Sequence, residues 1–120
     1  MSGDSSAAIG TAFIPVHDPP VSALWYADAF GLDVVGATEF SSVLAGSQGQ
    51  VTLMGPASGI PVQPGLDWAT CNFRIVDLVA AHARLSALGV EPTEIVGDPH
   101  RCLFFTALDP DNNRLLVTDR

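Results

Sequence analysis

The sequence predicts an α+β domain in which two tandem βαβββ modules form one cupped mixed sheet. Three observations carry this. The runs Thr11 to Asp18 and Thr70 to Asp77 are both extended and close on Asp, at an offset of 59 residues. Each is followed by a helical stretch that closes on glycine, Gly31 thirteen residues after Asp18 and Gly89 twelve after Asp77. After each glycine come three short β-prone stretches. Self-similarity at a fixed offset marks a duplicated module.

In the first copy the strand is Thr11 to Val16. Pro19 and Pro20 then open a helix, where a missing N–H costs nothing. From there Val21, Leu24, Trp25 and Ala29 are expected to lay an apolar stripe on one face, and Gly31 supplies a left-handed cap. The second copy offers Asp77 as N-cap, then Leu78, Ala81, Leu85 and Leu88 before Gly89. Each helix has one face to bury, and a sheet is its natural partner.

The remaining strands are expected at Val34 to Gly36, Phe40 to Ala45 and Gln50 to Met54, then at Thr93 to Val96, Arg101 to Ala107 and Arg114 to Thr118. Gly46 to Gly49 reads as a hairpin loop. Asp109 to Asn113 reads as a strong turn, with Pro110 fixing one φ and Asn tolerating left-handed geometry. Residues 1–10 form a loose tail, 11–54 and 69–119 the half-modules of one domain (11–120), and 55–68 a Gly- and Pro-rich linker. The cup closes either within one chain or against a second subunit.

Composition narrows the function. At 120 residues, 48% of them hydrophobic, the chain matches one domain with a real core. No run approaches the roughly 20 apolar residues that span a bilayer, and Met1 to Ala8 lacks the basic and apolar regions of a signal peptide, so no membrane role and a cytoplasmic location are expected. Ten Asp and three Glu against five Arg and no Lys give a net charge of -8. Such a chain repels phosphate backbones, which argues against nucleic acid as partner, and it favours a cationic small ligand at long range. Cys71 and Cys102 have no zinc or disulfide spacing and read as buried free thiols.

Taken in order, Phe13-x-x-Val16-x-Asp18, Trp25-Tyr26, Phe30-Gly31-Leu32, then Phe73-x-x-Val76-Asp77, Arg84-Leu85, Leu88-Gly89-Val90 and the Asp109-Pro110-Asp111-Asn112-Asn113 turn resemble the vicinal oxygen chelate superfamily. That superfamily includes glyoxalase I, extradiol dioxygenases, and bleomycin and fosfomycin resistance proteins. The likeness runs from about Thr11 to Asp119, with Asn112 where the family usually has Gly. It implies a cupped ligand site, commonly in a homodimer. It also implies metal ligands at Thr11, Thr70 and Leu116, and all three depart from the pattern. Neutral hydroxyls are poor donors to a divalent ion and Leu has none. No metal and no cofactor are therefore expected. The histidines His17, His82 and His100 have no ligand spacing, and His82 reads as structural.

Alternation sends Thr11, Phe13, Pro15 and His17 one way and Ala12, Ile14 and Val16 the other. It likewise separates Thr70, Asn72 and Arg74 from Cys71, Phe73 and Ile75, the odd-numbered set being assigned in each case to the helix-covered face. Either Leu103 and Phe105 or Cys102 and Phe104 line the cup. Phe13, Met54, Phe105 and Leu116 beside Asn72 and Arg74 make a mixed surface suited to an organic ligand, and Trp68 stacks on that ligand or closes the rim, or else packs in the core or an interface. Arg74 clamps a carboxylate or other anion, or else sits at a dimer seam or pairs with an Asp. His17 and His100 are the candidate proton acceptors. Two functions follow. One is metal-independent binding of a small organic molecule of cationic or aromatic character, as in bleomycin-resistance-like proteins that confer antibiotic resistance. The other is a glyoxalase-like lyase or isomerase using acid/base residues or displaced metal ligands.

Overall fold

A computed structural model describes residues 6–120 of the chain; residues 1–5 of the expected tail lie outside the described residues. The first half runs β1 (Ala12–Pro15), α1 (Pro19–Phe30), β2 (Asp33–Ala37), β3 (Ser41–Ala45) and β4 (Gln50–Met54). The second runs β5 (Asn72–Arg74), α2 (Leu78–Ala87), β6 (Val96–Asp98), β7 (Cys102–Leu108) and β8 (Arg114–Thr118). Each half is a four-stranded mixed sheet, ordered β1-β4-β3-β2 and β5-β8-β7-β6, with β1 and β5 parallel to their neighbours and the rest antiparallel. The two sheets share no strand pairing, and β1 and β5 each keep one free edge.

The caps follow from the sequence. Asp18 and Asp77 accept from the N–H of Val21 and Ala80, three residues into each helix. Gly31 ends α1 at φ 66°, which a Cβ would resist. In the turn after β7, Asn112 takes φ 64°, the one non-glycine residue with positive φ among those described.

The buried face of α1 is not the expected stripe. Pro19, Ser22, Ala23, Tyr26 and Ala29 face the core, whereas Val21 and Leu24 are 62% and 71% exposed. The helix is apolar almost all round, so hydrophobicity alone does not choose a face; Ser22, Ala23 and Ala29 let α1 lie close to the sheet, and Tyr26 fills the core beside them. In α2, Leu78, Ala81 and Leu85 are buried as expected. The sixth strand also differs. It forms at Val96–Asp98, while Thr93 touches β7 only through bonds to Thr106. Pro92 removes a donor beside it, and regular pairing resumes only where Val96 meets Phe104.

Strand parity is corrected in the first half. Ile14 and Val16 are buried in the core and Phe13 is half exposed, so the even-numbered set faces the helix. In the second half Phe73 is buried, and the odd-numbered set does so. Along β7 the core face carries Phe105 and Ala107, packed with Leu78, Ala81 and Leu85. Phe105 is therefore not a cup residue: it is fully buried and pairs with Val117, on the side opposite Leu116.

Helix α1 joins the halves. Phe30 stacks on Phe73 with centroids 4.1 Å apart, and Ile14, Tyr26, Phe73 and Leu115 share one core cluster. The Tyr26 hydroxyl donates to the buried Asp109 carboxylate. Asp109 is also held by Asn113, whose Nδ2 reaches on to the Pro15 carbonyl at 2.7 Å and whose Oδ1 accepts from Gly65 and Leu66. Burial above all, and then the Asp109 charge, hold the Tyr26 phenol protonated well above its usual range.

Candidate functional site

The residues expected to line a cup fall into two places. Thr11, Phe13 and Met54 lie on the face of the first sheet away from α1, and Asn72, Arg74 and Leu116 on the corresponding face of the second. Register equates the halves: Phe13 pairs with Thr52 as Asn72 pairs with Leu116. The Thr11 hydroxyl lies 2.9 Å from the Thr52 hydroxyl and donates to the Gln50 carbonyl at 3.2 Å. Asn72 donates to the Thr118 hydroxyl at 2.9 Å.

The places where metal-using proteins of the resembling kind carry donors hold Thr11, Thr70 and Leu116. Thr11 spends its hydroxyl on protein partners, Thr70 offers a neutral oxygen and Leu116 a hydrocarbon. These do not fit a divalent ion. Among the described residues no three His, Cys, Asp or Glu side chains converge as a metal site.

A groove of about 540 Å³ runs along the free edge of β5. Asn72, Phe73, Arg74 and Ile75 form one wall, the Gly46 to Gln50 turn faces them, and Phe30, Leu32, Leu44 and Val51 supply apolar surface. Of the expected ligand residues it brings together Asn72 and Arg74. Phe13, Met54, Trp68 and Leu116 do not line it, and Trp68 stands 63% exposed in the linker. Gly46 to Gly49 is legible in sequence as a hairpin loop, but its place opposite β5 and the Phe30–Phe73 stack are not. Their one available signal was the shortness of that turn beside its counterpart, Asp109 to Asn113.

The histidines separate clearly. His17 Nδ1 meets Asp111 Oδ1, and Asp111 also accepts from the buried Ser22 hydroxyl at 3.4 Å. His17 has a carboxylate partner that its sequence neighbours did not reveal. His100 sits exposed in the turn between β6 and β7 and engages its neighbours through backbone atoms only. His82 bonds the Thr93 carbonyl at 3.0 Å and lies edge-on to Phe105, a structural setting. Neither candidate proton acceptor lines the groove. Cys71 does, and burial raises its thiol, with a Thr70 hydrogen bond opposing.

Comparison with known proteins matches residues 8–117 to the model of the Glyoxalase/Bleomycin resistance protein/Dioxygenase superfamily. No curated protein matches the chain. Among solved structures, a member of that superfamily from Sphaerobacter thermophilus is 21% identical, covering 94% of this chain and 97% of its own, with a TM-score of 0.78. A lactoylglutathione lyase from Agrobacterium tumefaciens is 18% identical, with coverage of 95% and 94% and a TM-score of 0.73. A bleomycin-binding protein solved in complex with bleomycin is 17% identical, with coverage of 95% and 99% and a TM-score of 0.69. At these identities the likeness is one of fold.

Proposed function

This chain belongs to the Glyoxalase/Bleomycin resistance protein/Dioxygenase superfamily, and from that premise we propose that it holds a small organic molecule through its side chains alone. The observation that carries this is the donor set. Two hydroxyls and an aliphatic chain stand at Thr11, Thr70 and Leu116, while the fold keeps a groove with an apolar floor and a few polar groups, the usual composition of a ligand site. Phe30 and Leu32 favour an aromatic body, and the chain's negative charge draws cations at long range. The reading is therefore of a drug-binding protein of the bleomycin-resistance kind. Apolar surface left open at Phe13, Val35 and Phe40 supports a homodimer.

Titration of the purified protein with cationic glycopeptides and aromatic drugs, followed by calorimetry, tests this. Saturable binding of a member of the panel in chelator-treated protein is the expected result. No binding below millimolar across the panel would overturn it. Light scattering at micromolar protein reads the assembly, and a monomer would remove the homodimer.

One observation favours a lyase or isomerase as a second reading: the His17–Asp111 pair, in which a carboxylate orients an imidazole as proton acceptor. Metal-free turnover lost in His17→Gln would favour it over binding alone.

A further inference from the structure

We propose that the groove along β5 takes a small organic monoanion, a carboxylate on a flat apolar body, with Arg74 as the group that recognises its charge. The inference rests on the binding reading above and assigns the ligand's chemistry. It runs against the cationic preference that the net charge implies.

The five arginines are not alike. Arg84 bonds Asp28, Arg101 approaches Asp98, Arg114 donates to Thr106, and Arg120 donates to the carbonyls of His100 and Pro99. Of the five, Arg74 alone has a guanidinium that makes neither a hydrogen bond nor an ion pair among the described residues. The chain carries thirteen carboxylate side chains, yet among the described residues none lines the groove that Arg74 borders. A guanidinium beside a concavity, with its planar donors unspent, is arranged for an oxyanion. Global charge acts at long range and is screened within about 8 Å at physiological salt, so the local cation decides what binds.

The backbone adds donors. The Ile75 N–H bonds the Thr118 carbonyl across to β8, so by strand alternation the N–H groups of Asn72 and Arg74 turn to the unpaired edge. That edge is the groove wall. Across it, Ser47, Gln48 and Gln50 offer neutral polar groups.

The duplication explains the space. The repeat that sets Asn113 against the Pro15 carbonyl brings Gly49 and Arg74 to the lining of one groove, with open space where a Gly49 side chain would stand. Asn113 fills its junction with a side chain bonded to Pro15 at 2.7 Å. Gly49 has no side chain to do so, and the matching junction stays open. With no second cation in the lining among the described residues, one negative charge is matched and the dianion of a phosphate is not.

The test uses the full chain, labelled with nitrogen-15, and three probes of one shape: 1-naphthoate, 1-naphthamide and 1-naphthylmethylamine. The acid is expected to shift amides of residues 46–50 and 71–75 and to bind about tenfold or more tighter than the amide. Arg74→Gln should abolish that preference and Arg74→Lys keep part of it, with the native melting temperature as control for folding. Equal binding of acid and amide, tighter binding of the amine, or an acid preference that survives Arg74→Gln would overturn the proposal while leaving small-molecule binding in place. Silence of all three probes at millimolar concentration would remove the groove as a ligand site, and the drug panel then decides separately whether the protein binds elsewhere.

Discussion

Asn113 Nδ2 donates to the Pro15 carbonyl at 2.7 Å and so ties the start of β8 to the end of β1, across 98 residues of chain. The same side chain, almost wholly buried, holds Asp109 and the linker amides of Gly65 and Leu66. Its removal leaves several buried polar groups without partners. Asn113→Ala is expected to lower unfolding free energy by about 2–4 kcal/mol. Urea denaturation measures it.

Tyr26 is the only tyrosine in the chain, so its ionisation can be followed directly by absorbance near the phenolate band. Because its folded pKa lies above the ordinary 10.0, the unfolded chain loses this proton first. The stabilisation is complete below about pH 10 and declines as pH rises beyond it, by about 1.4 kcal/mol per pH unit. Phenolate should therefore appear only together with unfolding. A Tyr26→Phe protein should lose this alkaline slope.

The exposed side of α1 yields a contrast between neighbours. Leu24→Gln is expected to change stability by no more than about 0.5 kcal/mol, because the side chain already faces solvent. Ala23→Leu should cost about 1–3 kcal/mol by overfilling the close contact with the sheet. Thermal melts of the two variants check the corrected face.

The duplication, both helices, two strands to the residue and the caps at Asp77 and Gly31 were legible because they depend on local chemistry. The buried face of α1 was not, since Val21 and Leu24 are as apolar as anything that is buried. Parity in β1 also escaped. Pro15 ends the strand on the outer face with His17 just beyond, and nothing local says which neighbour of Phe13 meets the core. Phe105 was read as a ligand residue from hydrophobicity, and only the register with Val117 assigns it to α2. Of the site, Asn72 and Arg74 were legible as polar residues in an apolar strand. The role of the facing turn was not, because it depends on a partner far away in the chain.

Restoring imidazole and carboxylate at the family's places tests their assignment. The triple variant Thr11→His, Thr70→His, Leu116→Glu is expected to bind a divalent ion more tightly than the native chain does. Titration with zinc or nickel under a competing chelator reads the gain.

The most direct measurement is the metal content of the native protein, purified without added metal and without chelator, by elemental mass spectrometry. Thr11, Thr70 and Leu116 predict far less than a stoichiometric amount of any divalent metal. A stoichiometric ion that survives dialysis against chelator would contradict the reading on which the proposed function stands.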